Sequence, residues 1–576
     1  MKSKNKWIRM FYYIKPYTFL LFSSLVFALL VNGAELISPY ITKIIIDDYI
    51  IGSKESINIF LLGSIYLFTV VLGAFFQFAQ VYTLNLMGQN IIHNIRMELF
   101  SHIQYMPLTF FDNNSSGRIL TRVTNDVEAL NELYSGVLVA LVKDIFMIIG
   151  IVIVMIKMDL ELALVSFSIL PIMIGITYFY NKKIKKNFMK IRNLIARING
   201  FLAENISGMS LVQIFNREKE KFREFKDLND KYNKASVFGV YLMAIFRPGV
   251  EFINTLAISI LIFFCAKGVL NNTIEIGVLY AFITYVKKFF EPIRDLADKY
   301  STIQSGSVSA ERIFELLDNN HGLENMEKGI SIKNIRGEIE FKNVWFSYNN
   351  KDWVLKNINF KVKPGETVAF VGATGSGKST IINLIGRFYD IQKGEIFLDG
   401  INIKDINLKD LRKAIVVVMQ DVFLFEGDIK YNIRLENKDI SDEDVIKASR
   451  YVNASSFIEK LPNSYDEPVR ERGRTLSAGQ RQLLSFARAI AFNPSILVLD
   501  EATANIDTEN EKIIQNSLEK ISKERTTLII AHRLSTIKNA DKIIVLNKGE
   551  IKEVGNHEEL LKKGGVYKKL YKLQYS

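Results

Sequence analysis

Cysteine is nearly absent from the 576-residue chain. Cys265 is the only one, and it lies inside an apolar run. A single cysteine forms no internal disulfide and builds no cysteine metal centre, which excludes a disulfide-stapled secreted domain and points to a reducing, cytosolic face. Acidic residues are missing from the first fifteen positions, "MKSKNKWIRMFYYIK", which carry five basic ones. Charge asymmetry is missing too. Lys and Arg exceed Asp and Glu by 34 to 28 over residues 1–330 and by 39 to 33 over 331–576. An equal excess in each part leaves no basic arm of the kind that binds nucleic acid. The first apolar stretch lacks a convincing small-residue cleavage site and is too long for a signal core, so it is expected to remain as a membrane anchor.

What is plentiful is hydrophobic sequence, 49% of the residues, gathered in long blocks before residue 320. A helix needs about 20 apolar residues to cross the hydrocarbon core. Six candidates fit: 16–34, 57–76, 133–156, 160–180, 238–266 and 274–290. The third is interrupted by Lys143 and Asp144, and the last two carry internal charges. The segment "NKKIKKNFMKIR" after the fourth holds six basic residues in twelve, which assigns it and the N-terminus to the cytoplasmic side. Six spans then return the chain to the cytoplasm, where both termini are expected. The inward connections, 77–132 and 181–237, read as helices that overrun the membrane and hairpin back. Their tips are "LTFFDNNSSGRIL" (108–120) and "LVQIFNREKEKF" (211–222).

Polar groups inside spans are costly and need a reason. Arg247 and Glu251 lie four apart on one helix face, around Pro248-Gly249, and are candidates for a substrate cavity. Lys143, Asp144, Lys287 and Lys288 are further cases, read either as structural pairs or as cavity lining. Pro171 in span four is expected to rely on neighbouring helices to satisfy the carbonyl it frees.

The second half reads differently. Residues 338–372 alternate short strands and turns and end in "ETVAFVGATGSGKSTIINLIGRF". Gly372, Ala373, Thr374, Gly375, Ser376, Gly377, Lys378, Ser379 and Thr380 follow a strand and open a helix, the context a phosphate-binding P-loop requires. Glycines let backbone N–H groups approach phosphates, and the helix N-terminus adds its positive end. Lys378 would reach the β- and γ-phosphates, and Ser379 would ligate Mg²⁺. "SILVLDEAT" (495–503) is an apolar strand ending in two acids. Asp500 suits the metal, and Glu501 suits a general base acting on water. "TTLIIAHRLST" (526–536) sets His532 at a strand end, where doubly wound sheets hold ligands. In "RTLSAGQRQLLSFARAI" (474–490), small polar residues run straight into an amphipathic helix.

The motif order is a P-loop, "VVVMQD" with Gln420, "LSAGQ", "LVLDEA" and "AHR". It resembles the ATP-binding cassette ATPases. Six spans with long cytoplasmic hairpins ahead of such a cassette resemble, over the whole chain, the multidrug and lipid exporter class. The resemblance implies an α-helical transmembrane domain (1–320) with two coupling hairpins, a linker (321–337) and an α/β P-loop ATPase domain (338–576). It implies that Tyr348 of "WFSY" stacks on adenine and that Gln420 senses Mg²⁺ beside Ser379 and Asp500. Leu476, Ser477, Ala478, Gly479 and Gln480 match the signature that closes on the ATP of another subunit. Asn505 and Asp507 in "ANID" match the D-loop, and His532 matches the switch histidine. "RERG" (470–473) resembles the exporter loop that contacts the hairpins, although its start departs from the commonest pattern.

The class implies ATP and Mg²⁺ as cofactors. It implies hydrolysis coupled to export of amphipathic or hydrophobic compounds across a bacterial cytoplasmic membrane, with no nucleic-acid partner. One P-loop and one signature make half a machine, so a second half-transporter is needed. The commonest signature has Gly where Ala478 stands. If that position requires a positive φ, alanine costs about 1 kcal/mol or more; otherwise its methyl merely crowds a phosphate. The family contains heterodimers in which one subunit keeps the glutamate and histidine but alters the signature, and the other does the reverse. This chain resembles the former, so a heterodimer is expected. The alternative is a homodimeric lipid flippase or exporter.

Overall fold

The structure is a computed structural model, described over residues 6–52, 57–270, 274–319, 329–332, 334–500, 516–522, 525–530 and 537–575. It divides into two compact units, Met1–Ile103 with Ser116–Asn319, and Gln104–Ser115 with Asn320–Ser576.

The first unit is built from long helices: α1 (Thr18–Ile44), α2 (Ile57–Gln104), α3 (Leu138–Met158), α4 (Leu170–Ser207), α5 (Glu218–Leu270) and α6 (Ile276–Leu317). Among the described residues, five stretches are long and apolar enough to cross a membrane: Trp7–Ile51, Ile59–Gln104, Ser116–Met158, Leu160–Ser207 and Glu218–Ala266. The sixth helix, α6, has 42 residues, and its apolar stretch is cut by Lys287, Lys288 and Glu291. Two of the charges inside the bundle meet at one carboxylate. Lys143 lies 3.6 Å and Lys288 4.0 Å from the carboxylate of Glu35 on α1. The Lys288 ammonium also donates to the Glu35 carbonyl at 2.9 Å. Asp144 pairs with Lys299. A shared counter-charge lowers the cost of keeping lysines in a low-dielectric bundle, so these three residues are structural pairs. Lys287 is exposed.

Pro171 corrects the expectation made for it. It stands at the first turn of α4, where the helix restarts after Leu160–Phe167. An N–H at that position would be unpaired in any case, so no carbonyl within a helix needs rescue. Cys265 is fully buried, packed with Leu261, Ala281 and Phe282. Glu251 is exposed on α5, and the side chain of Arg247 lies outside the described residues.

The second unit contains strands β1 (Ile339–Phe346), β2 (Leu355–Val362), β3 (Thr367–Val371), β4 (Lys393–Leu398), β5 (Ile401–Asn402), β6 (Ile415–Val418), β7 (Gly427–Asp428), β8 (Pro468–Val469), β9 (Ile496–Asp500), β10 (Thr526–Ile530), β11 (Lys542–Asn547) and β12 (Glu550–Gly555). An antiparallel sheet runs β2-β1-β4-β5, and β7 pairs with β8. The main sheet runs β12-β11-β3-β10-β9-β6 and is parallel except for its β12 edge. Side chains alternate across it, as the two-residue strand period demands. Val368, Phe370, Val498, Leu528 and Ile530 pack on one face with Ile381, Ile382 and Leu384 of α7 (Lys378–Ile385). Ala369, Val371, Leu497, Leu499 and Ile529 pack on the other face with Leu483, Leu484 and Phe486 of the helix Ala478–Ala491. Each such fully buried large side chain contributes about 1.5–3 kcal/mol, so the central strands are over-determined.

The end of the expected linker is bound to this unit. The Asp399 carboxylate accepts from the backbone N–H groups of Arg336, Gly337 and Glu338, at 2.6, 3.1 and 2.7 Å. Ile330 bridges to Ile406.

Candidate nucleotide site

β3 delivers the chain to the P-loop. All its residues from Val368 to Val371 are buried, and α7 begins six residues after Gly372. Gly377 caps α7 with φ +104°, and a Cβ there would meet the Cδ2 of Leu355 at 2.5 Å. Only glycine escapes both the left-handed backbone penalty and the clash. Gly375 also has positive φ, +79°. Lys378 is buried, and its ammonium donates to the carbonyls of Gly372 (2.7 Å) and Ala373 (3.2 Å), so the cation sits over the loop's own backbone. The buried Ser376 Oγ has no protein partner among the described residues. A Cβ on Gly372 would stand 2.6 Å from it. A loop with no room for a Cβ at Gly372 or Gly377, carrying a buried hydroxyl and an ammonium at a helix start, fits a polyphosphate.

The carboxyl edge of the parallel strands gathers the rest. Asp500 ends β9, in register with Ile530 of β10, which pairs in turn with Phe370 of β3. Val418, the last residue of β6, pairs with Leu499, and exposed Gln420 follows two residues later. Exposed Ser379 lies in the first turn of α7. Carboxylate, amide and hydroxyl oxygens form the hard donor set that Mg²⁺ takes. Glu501, Asn505, Asp507 and His532 lie outside the described residues. Tyr348 follows β1 by two residues and is 48% exposed, and its hydroxyl donates to the Thr380 Oγ1 at 3.2 Å.

The signature opens a 14-residue helix, α8 (Ala478–Ala491). Ser477 caps it with φ −65°, accepting from the Gln480 N–H at 3.2 Å. Gln480 returns through its Oε1 to the Ser477 N–H at 2.9 Å. This reciprocal capping box satisfies two N–H groups and fixes the helix start. Ala478 is the first helical residue, and it is not among the residues of positive φ. Of the two expectations for it, strain is therefore overturned. Helix N1 takes ordinary αR dihedrals, and what remains is an exposed methyl. Leu476 is buried beneath the loop, while Gly479 is buried in the first turn of the helix.

Sequence reasoning missed two arginines on this helix. Arg481 donates to the Leu476 carbonyl at 2.7 Å, tying the signature loop down. Arg488 donates to the carbonyls of Asn432 (2.8 Å) and Phe423 (3.3 Å), and burial pulls its pKa below the usual arginine value. Their seven-residue spacing along an otherwise apolar stripe was the available signal. In "RERG", Glu471 (φ +46°), Arg472 (+60°) and Gly473 (+76°) are consecutive left-handed residues. Strain of this kind clusters at functional loops.

A phosphate cradle of this build, carried on one chain with membrane-length helices, is the plan of an ATP-binding cassette exporter. Family comparison agrees. Residues 21–293 match the ABC transporter transmembrane region, and residues 355–504 match the ABC transporter ATPase family. The chain belongs to this family, as a half-transporter that hydrolyses ATP to drive export. Among its relatives, the uncharacterized ABC transporter ATP-binding protein YknV of Bacillus subtilis is 41% identical, over 99% of this chain and 94% of its own. The "Probable multidrug resistance ABC transporter ATP-binding/permease protein YheH" of the same organism is 42% identical, over 88% and 75%. An ATP-dependent lipid A-core flippase of Syntrophus aciditrophicus is 36% identical, over 95% and 91%.

Proposed function

We propose that this chain exports amphipathic or hydrophobic compounds of the multidrug type, as the subunit of a heterodimer that supplies the catalytic glutamate. The observation that carries the reading is the gathering of Lys378, Ser379, Gln420 and Asp500 at one sheet edge, with the Ser477–Gln480 surface on the helix packed against the opposite face. P-loop helix and signature helix lie on different faces of one sheet, which supports each serving a different ATP.

In this reading, Lys378 and the loop N–H groups hold the phosphates. Glu501 draws a proton from the attacking water, and His532 steadies the γ-phosphate. Ser379, Gln420 and Asp500 would hold Mg²⁺, which supplies charge neutralisation at the phosphates. Ser477 already accepts from Gln480, so its own O–H proton remains to be donated to the γ-phosphate across the interface. The tip at 211–222 supports a partner surface, because Leu211, Ile214 and Phe215 are 60–71% exposed there. The ATPase and both termini are assigned to the cytoplasm on the basic segment at 181–192 and the N-terminal lysines.

Two relatives pull in different directions. The name of YheH supports a multidrug substrate, whereas the lipid A-core flippase supports a second reading as a homodimeric lipid exporter. Expression of this chain alone, followed by reconstitution in liposomes, tests the choice. The heterodimer reading expects little ATPase activity, drug- or lipid-stimulated, until a partner half is added. Vigorous turnover by the chain alone favours the homodimer. In either assembly, Glu501→Gln should abolish nearly all turnover while nucleotide still binds, and substantial surviving ATPase activity sinks the assignment of Glu501.

A further inference from the structure

Helix α4 does not stop where its apolar stretch stops. The span read at 160–180 ends before "NKKIKK", and the helix runs on to Ser207. We propose that the first turns beyond that edge form a binding site for the phosphate headgroup of an anionic phospholipid of the cytoplasmic leaflet. The proposal rests on the assignment of this segment to the cytoplasmic side.

Successive residues advance about 100° around a helix and 1.5 Å along it. On that count Phe179, Lys182, Lys183, Lys186, Lys190 and Arg197 share about 100° of arc on α4, and all six are exposed. Asn187, which donates to the Ala235 carbonyl of α5 at 2.9 Å, marks the packed face, and the basic face lies beside it. Lys182 stands about 3 Å and Lys186 about 9 Å beyond residue 180 along the axis. A headgroup layer is about 5–8 Å deep on each side of the hydrocarbon, so the lysine stems bring their ammonium groups into it. Tyr178 and Phe179, 63% and 66% exposed, stand just above, at the level where aromatic rings gather at membrane interfaces. Lys186 and Lys190 continue the row into an open groove of about 500 Å³, shared with Met189, Asn193, Leu194 and Arg197. Met189 and the buried Leu194 give the groove apolar surface, and the three basic residues give it positive charge. That mixture suits a phosphate joined to hydrocarbon.

The charge is uncompensated within the chain. No acid stands between Glu161 and Glu204 in the sequence. Among the described residues, no carboxylate pairs with Lys182, Lys183, Lys186, Lys190 or Arg197. Helix α5 is the contrast. Its Arg217, Lys221 and Lys231 lie against Glu220, Glu224 and Asp227 of the same helix, at 3.2, 2.9 and 2.5 Å. Like charges on successive turns of α4 repel, and an anionic leaflet supplies the counter-charge at the depth where they stand.

The test is an equilibrium titration of the purified full chain in detergent with fluorescent phosphatidylglycerol, and with phosphatidylcholine bearing the same label as the neutral control. The unaltered chain should prefer phosphatidylglycerol. Lys182→Gln, Lys186→Gln and Lys190→Gln should each weaken its binding about fivefold, the worth of one basic residue beside an anionic surface. Phosphatidylcholine binding should not move, and arginine at all three positions should preserve the preference. Lys221→Gln and Lys231→Gln on α5, whose charges are already paired, should have no effect. The site is overturned if the α4 glutamine variants bind phosphatidylglycerol as the unaltered chain does. It is overturned equally if the α5 variants lose as much, which marks diffuse attraction, or if the arginine variant loses the preference. Glycerol phosphate, a headgroup without acyl chains, should not displace the labelled lipid at equal concentration. Displacement assigns the groove to a soluble phosphate and overturns the lipid. Sidedness is read separately, with Asn193→Cys in sealed right-side-out vesicles, where Cys265 is buried. The new thiol should resist an impermeant maleimide. Labelling from outside overturns the cytoplasmic placement and the leaflet with it, whereas a failed lipid titration with protected Asn193→Cys sinks the site alone.

Discussion

Ala478 follows its cap at the first helical position of α8, and this decides what its substitution can do. Glycine there relieves no strain and loses helix propensity, worth up to about 1 kcal/mol in a helix interior and less at the first turn. Ala478→Gly should therefore leave the thermal midpoint of the purified chain unchanged or lower it slightly, and a raised midpoint would contradict the helical assignment. Gly377 is the opposite case. Gly377→Ala forces a left-handed alanine onto Leu355, and the backbone alone costs roughly 1–2 kcal/mol. It should lower the midpoint and weaken ATP binding at least tenfold in an equilibrium titration. The P-loop was readable in the sequence because its backbone admits only glycine at such points. The consequence of Ala478 was not, because a signature written in letters does not state a dihedral angle.

At the scale of elements, three helix starts among the described residues are set by capping boxes: Ser477 with Gln480, Ser441 with Asp444 on the helix Asp442–Tyr451, and Asn556 with Glu559 on the helix His557–Lys563. The Ser441 hydroxyl and N–H hold the Asp444 carboxyl below its usual pKa, and Arg434 followed by Lys430 does the same for Asp442. A depressed folded pKa means that the unfolded chain binds more protons in acid. The contribution of these caps is present above pH ~4, the ordinary aspartate value, and is lost as pH falls below it. Hydrogen exchange of the first turn of this helix, corrected for intrinsic rates, should show protection lost selectively in acid. Arg488 anchors α8 to the segment around Asn432. Arg488→Met keeps the stem but leaves the Asn432 and Phe423 carbonyls without that donor, at about 1–3 kcal/mol. A urea melt that shifted by much less would place that guanidinium in contact with water instead. Helix and cap were visible as S-x-x-Q and S-x-x-D patterns, but the anchor was not, since Asn432 is 56 positions away.

For the whole molecule, the first unit shows how a membrane bundle tolerates charge. Glu35 serves two lysines from two other helices. Glu35→Gln leaves both without that counter-charge and should lower the thermal midpoint in detergent by roughly 2–4 °C for each kcal/mol lost. Adding Lys143→Met should restore part of the loss, and a midpoint indifferent to Glu35→Gln would show the pairs to be solvated. Spans one, two and four were legible as clean apolar runs, whereas the third, fifth and sixth carry internal charges. For the third and the sixth the fold explains the charge: Lys143 and Lys288 share the Glu35 carboxylate, a partner that no local window contains. The wider helical turns at Ile45–Ile51, Arg122–Asp126 and Glu132–Val137 left no sequence signal either, because they depend on what packs beside them.

Local sequence alone showed where apolar runs are long enough to cross a membrane, where a glycine-rich loop joins a strand to a helix, and that one "LSAGQ" segment accompanies one such loop. Those are local properties, written in hydrophobic length, in glycines at left-handed turns and in acids at strand ends. Tertiary structure alone decided that Ala478 is unstrained, that Glu35 balances Lys143 and Lys288, and that Tyr389 reaches Asp112 across 277 positions. Each of these rests on groups brought together through space, and a hydrogen bond or ion pair between distant residues is specified by the packing of the elements that carry them.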